Sequence, residues 1–219
     1  MLPRLAVIDP LLTHSMSPEV TASTGLDALT QLIEPFVCRT SNSLIDLICL
    51  DGINRVTRSL QKAYEQGNDI LAREDMALAS LFGGMALANA KLGAVHGIAG
   101  PLGGMCTVPH GIVCAKLLPY VMETNIEALK IRSSDSSILE RYRKVAQIVT
   151  GDPSAEAKDG VVWIHNLCQF FHIPPISQFG LLKKDFIELV DKVKKASSMK
   201  GNPVDLTDEE ILEILNRAF

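Results

Sequence analysis

The chain has 219 residues, with 21 Lys and Arg against 25 Asp and Glu, so it lacks the basic surplus that binding to nucleic acid requires. Apolar residues make up 47 %, yet charged or amide side chains interrupt every long apolar stretch before the ~18 residues that a membrane span needs. Five scattered cysteines, Cys38, Cys49, Cys106, Cys114 and Cys168, form an odd set without a CxxC pair, which argues against a disulfide framework or a structural zinc knuckle.

The opening stretch, MLPRLAVIDP, shows no apolar run leading to a small-residue cleavage site, so no signal peptide is expected and the cytoplasm is the expected compartment. Within it, Leu5, Ala6, Val7 and Ile8 lead into Asp9-Pro10 and read as one short buried strand ended by a turn. A lone strand needs a sheet, and no later stretch supplies one. Residues 1–17 are therefore expected to be a strand and linker belonging to a sheet outside these 219 residues.

From there to residue 219 the expectation is all-α: only 5 % of residues are aromatic, and Ala, Leu, Ile and Met are plentiful. Leu26, Leu29, Leu32, Ile33 and Phe36 recur at helical spacing, with Ser23 or Thr24 as N-cap and Pro35 closing the helix. A second helix is predicted over 44–64, ended by Gln66-Gly67-Asn68, and a third over 69–89, whose Gly83, Gly84 and Ala86 permit close approach of another element. Residues 91–112, KLGAVHGIAGPLGGMCTVPHGI, hold six Gly, two Pro and two His and mark a bend between helical stretches. Further helices are predicted over 111–125, 138–150, 155–171, 183–196 and 208–219, the last opened by a capping box of Thr207 and Glu210.

His96 and His110 share the Gly-rich stretch, each followed by Gly, so both imidazoles can border a cleft. An imidazole pair with one carboxylate is a common open catalytic metal set, and Asp27, amid Leu26 and Leu29, is the best carboxylate candidate. Taken alone, Asp27 reads equally well as first-turn compensation of the helix dipole. A single His96 or His110 reads as a core or turn histidine, and His14, His165 and His172 as packing or capping residues. Cys106 and Cys114 flank His110 at four-residue spacing and are assigned to packing.

The stretches STGLDALTQLIEPFV, GAVHGIAGPLGG and VPHGIVCAKLLPYVMETN resemble the C-terminal, metal-binding helical domain of iron-containing (group III) alcohol dehydrogenases. Motif order and spacing match best over residues 18–125. The resemblance implies a dehydroquinate synthase-like helical fold that carries metal ligands at Asp27, His96 and His110, with a fourth at position 31. The family's usual residue there is His, whereas this chain has Gln31, a weak neutral oxygen ligand. An Asp/His/His set also resembles the zinc site of the related glycerol dehydrogenases, so either Fe²⁺ or Zn²⁺ is implied. At position 100 the family commonly has a further His with a proton-handling role, and Gly100 here leaves that task to another group.

The implied activity is hydride transfer between a small alcohol or aldehyde and a nicotinamide cofactor, NAD or NADP, in a full-length homo-oligomer. No GxGxxG or Gly-Gly-Gly-Ser stretch follows a strand, so the dinucleotide is expected to be held by an upstream domain, and this chain is expected to be inactive alone. Two rival readings stand beside it: a non-catalytic helical assembly module or inactive paralogue with a degraded site, and a metal-dependent lyase resembling dehydroquinate synthase.

Overall fold

The computed structural model describes residues 5–133 and 137–219, and among them every regular element is helical. Within the described residues the predicted strand, expected to join a sheet outside them, has no neighbour to pair with. Leu5 and Val7 are 80 % and 82 % exposed, and a strand exists only through pairing with a neighbour. Residues 5–9 instead lead into a 3₁₀ turn, Pro10–Thr13, capped by the Asp9 side chain. Residues 1–4 of the predicted N-terminal segment lie outside the described residues.

Among the described residues nine α-helices follow: α1 Pro18–Val37, α2 Ser43–Glu65, α3 Ile70–Asn89, α4 Ala94–Gly103, α5 His110–Arg132, α6 Ser137–Thr150, α7 Ala157–Phe170, α8 Phe186–Val193 and α9 Asp208–Ala218. Among the described residues no single helix is long and apolar enough to cross a membrane. α2, α3 and α9 begin and end within a residue or two of the predicted bounds, and the Thr207/Glu210 capping box is present.

Two boundaries differ for instructive reasons. α1 starts five residues before Ser23, because Ser17-Pro18 supplies an N-cap whose hydroxyl accepts from Val20 N–H, and a proline at the first helical position needs no donor. Pro35 does not end α1, which continues to Val37. It costs the amide bond to the Gln31 carbonyl, a loss confined to the last turn. Within the predicted bend, residues 94–103 form α4, set at 95° to α3. Helix survives there despite three glycines because its first amides are met by tertiary partners described below.

α1 and α5 are the central elements. α1 packs on α2, α3, α5 and α6, and α5 packs on α1, α4, α7 and α9. Burial follows from sequence: Leu26, Leu29, Leu32 and Ile33 of α1 and Leu117, Leu118 and Val121 of α5 are at most 2 % exposed. One glycine sets the gap between the two helices at the start of α5. A Cβ at Gly111 would stand 2.4 Å from the Ser23 carbonyl oxygen, so only Gly permits this approach.

On the far side of α1, Asp75 ties α3 to α2. Its carboxyl accepts from Arg55 at 2.8 Å, from Arg58 twice at 2.6 Å, and from Ser59 at 2.6 Å. The Arg58 guanidinium, aided by Ser59, holds the Asp75 carboxyl below the usual carboxylate range against the opposing effect of burial. A carboxyl lowered in the folded state adds stability above the unfolded-state value and loses it as pH falls through the folded value. Asp75→Asn is therefore expected to cost about 1–3 kcal/mol at neutral pH. In urea unfolding, the gap from the parent chain should narrow as the solution is acidified through the low carboxylate range.

Candidate metal centre

Three helices bring four donor side chains together: Asp27 from α1, His96 from α4, and His110 and Cys114 from α5. One ligand atom from each lies within 4.8 Å of the others. Asp27 sits in the middle of α1, not its first turn, so helix-dipole compensation does not explain it. Its Oδ1 is buried and makes no hydrogen bond, an arrangement that costs about 1–3 kcal/mol if nothing positive faces it. What faces it is His96 Nε2 at 3.4 Å and His110 Nε2 at 3.7 Å. His110 is half exposed and His96 only 8 % exposed, so the cluster opens to the surface along the His110 side.

The orientation of His96 is fixed from behind by Glu34, which the sequence analysis did not single out. Glu34 is 4 % exposed, and its Oε2 stands 2.6 Å from His96 Nδ1. A carboxylate there accepts the Nδ1 proton, which turns the Nε2 lone pair toward Asp27 and the cluster. Its other oxygen accepts from Val95 N–H at 2.7 Å, while Asn202 Oδ1 accepts from Ala94 N–H at 3.1 Å. These two side chains meet the first free amides of α4, whose N-cap Gly93 has no side chain to do so. Asn202 is in turn held by Asn125 at 2.7 Å, and Asn125 donates to the Tyr142 hydroxyl at 3.0 Å. A sequence signal for Glu34 did exist: Asp27, Gln31 and Glu34 fall at i, i+4 and i+7, one polar stripe on an otherwise apolar helix.

Gln31 lies beside the cluster, and its amide Nε2 donates to Asp27 Oδ2 at 3.0 Å. In this orientation it steadies the carboxylate with a donor nitrogen and fits closely under Gly83 of α3, where a Cβ would be 3.1 Å from Gln31 Cβ. Gly100 lies one turn beyond His96, exposed, with open space where a side chain would start. Cys114 packs in the core as expected, and its Sγ also lies 3.4 Å from His110 Nε2 and 3.9 Å from His96 Nε2. Cys106 bonds only the Leu102 carbonyl, at 3.5 Å. The other histidines stay outside: His165 stacks edge-on against Tyr120, His172 follows α7 with φ 52°, and His14 closes the Pro10–Thr13 turn.

The electrostatics are those of mutually opposed charges. Burial favours the neutral Asp27 carboxyl, but polar interaction with His96 and Cys114 and the charges of His96 and His110 outweigh it and lower Asp27. Burial likewise disfavours a charged His96, and interaction with Asp27, Cys114 and Glu34 overcomes it, pushing the ring up to about 12. Burial pushes the Cys114 thiol up to about 12. A proton on His96 and a cation compete for the same side of Asp27. The donor set, one carboxylate and two imidazoles around an unpartnered buried oxygen, fits a divalent ion of the zinc or iron(II) type.

Residues 21–219 match the family described as Fe-containing alcohol dehydrogenase family, C-terminal. The chain belongs to that family. It is 35 % identical to alcohol dehydrogenase 4 of Saccharomyces cerevisiae over 218 residues, 99 % of this chain and 55 % of the yeast protein. Its fold superposes on the crystal structure of 1,3-propanediol oxidoreductase with a TM-score of 0.90, at 32 % identity, covering 100 % of this chain and 56 % of that one. It also superposes on sulfoacetaldehyde reductase of Bifidobacterium kashiwanohense, a structure in complex with NAD+, with a TM-score of 0.84 at 26 % identity over 98 % of this chain and 54 % of that one. The chain thus spans about half the length of these relatives, and its fold is the helical C-terminal domain of iron-containing alcohol dehydrogenases.

Because Glu34 both seats α4 and aims His96, Glu34→Gln is expected to lower divalent-cation affinity by about 10–100-fold, the usual effect of losing the partner behind a ligating histidine. Competition against a chromophoric chelator measures it. An affinity equal to the parent's would show that Glu34 serves the fold alone.

Proposed function

We propose that this chain is the catalytic domain of a metal-dependent alcohol dehydrogenase, transferring hydride between a small alcohol or aldehyde and NAD or NADP. The reading is carried by the convergence of the unpartnered Asp27 Oδ1 with His96 Nε2 and His110 Nε2, in a chain whose relatives are alcohol dehydrogenases. Asp27, His96 and His110 would hold Fe²⁺ or Zn²⁺, with Gln31 steadying Asp27 from outside and Glu34 steadying His96. Bound there, such an ion supplies Lewis-acid polarisation of an alcohol or carbonyl oxygen.

The chain's own residues set the rest of the geometry. Glu34 and Gln31 hold two donors rigidly, so orientation entropy is lost at folding and not during turnover. The half-exposed His110 marks the side from which substrate approaches, and Gly100, without a side chain, leaves room beside His96 on the same turn-spaced face of α4. Gly100 offers no side chain to pass a proton, so the proton of the alcohol would leave toward solvent on the His110 side. We assign dinucleotide binding, and the predicted role of residues 1–17 as a linker to it, to a nucleotide-binding domain outside these 219 residues. That assignment accords with relatives almost twice this length and with the NAD+ complex of one of them.

Elemental analysis of the purified chain is expected to find about one Fe²⁺ or Zn²⁺ equivalent per chain, falling to background in Asp27→Ala and His110→Ala. In a full-length enzyme carrying this domain, the same changes should lower kcat/KM for alcohol-dependent NAD+ or NADP+ reduction by at least ~100-fold. Unchanged metal content and activity in both variants would overturn the proposal and favour a non-catalytic module.

A further inference from the structure

Cys114 is buried with 0 % exposure, one helical turn after His110 on α5, so both side chains leave the same face of that helix. Its sulfur meets no carbonyl acceptor of its own helix. The groups within its reach are the Asp27 carboxyl and the two imidazole nitrogens that face Asp27. Donors arranged on a tetrahedral cation of ordinary bond lengths stand roughly 3.3–3.6 Å apart. Four of the donor separations here are 3.4, 3.7, 3.4 and 3.9 Å, linking Asp27 to both histidines and Cys114 to both histidines. The amide of Gln31, by contrast, presents a nitrogen donor to Asp27, which is the wrong polarity for a ligand.

Resting on the metal-centre reading above, we infer that Cys114 is the fourth metal ligand of this chain, taking as a thiolate the coordination place that Gln31 does not fill. The thiol proton leaves to solvent as the metal–sulfur bond forms, since a coordinated thiol is deprotonated outright. Two consequences follow from ligand chemistry. A thiolate beside two imidazoles and one carboxylate favours Zn²⁺ over the harder, oxygen-preferring ions. Were all four side chains to hold the ion, the exposed His110 side would be the one from which a substrate reaches it.

The test uses Co²⁺ as an optical substitute for Zn²⁺ in the 219-residue chain. One equivalent of Co²⁺ is expected to give the intense near-ultraviolet sulfur-to-cobalt charge-transfer band of a thiolate ligand, together with the visible bands of a four-coordinate site. Cys114→Ser should lose the sulfur band while the Cys106→Ser control keeps it, and its Zn²⁺ affinity should fall at least ~10-fold. The parent spectrum answers the question even if Cys114→Ser fails to fold. One equivalent of Co²⁺ bound without a sulfur band would overturn the inference and leave the Asp27/His96/His110 site standing. No binding of Co²⁺ or Zn²⁺ at all would overturn both.

Discussion

The contact between Glu34 and the start of α4 is the interaction on which the rest of the site depends. A helix begins with amides that lack partners, and α4 begins at Gly93, which has no side chain to cap them. Glu34 accepts from Val95 with one oxygen and faces His96 Nδ1 with the other, from a position 4 % exposed. In so dry an environment an unmet donor costs far more than at a surface. One carboxyl group therefore fixes both where α4 starts and which way its histidine points. The Asn202, Asn125 and Tyr142 network takes up the neighbouring amide and seals the same junction from the C-terminal end of the chain.

With α4 seated, the remaining donors arrive through the packing of α1 on α5. Gly111 lets the start of α5 press against the Ser23 backbone, which brings His110 and Cys114 over Asp27. The protein thereby collects a carboxylate oxygen with no hydrogen bond and two imidazoles in one partly closed spot. Burial disfavours the charged forms of Asp27 and His96, and the interactions within the cluster outweigh it.

The chain shares the helical architecture of its relatives at about one-third identity. At position 31 it carries an amide that turns inward to Asp27, at position 100 nothing beyond a hydrogen, and at position 114 a thiol facing both histidines. These three positions surround the same few atoms, so they are best read together. A donor set drawn from Asp27, His96, His110 and Cys114 is softer than one built from oxygen and nitrogen alone.

The sequence by itself determined the helical class, most helix spans, the capping box of α9, and the candidates Asp27, His96 and His110, because periodicity and motif spacing are local properties written along the chain. It found the bend near residue 91 but not the helix over 94–103, which depends on Glu34 and Asn202, 61 and 108 residues away from the amides that donate to them. Tertiary structure alone decided that Glu34 stands behind His96, that Gln31 turns its nitrogen toward Asp27, and that Cys114, not Cys106, joins the cluster. The physical reason is common to all three: which of several equivalent side chains meets a neighbour depends on how helices rotate and pack against one another, and spacing within one helix carries no record of that rotation.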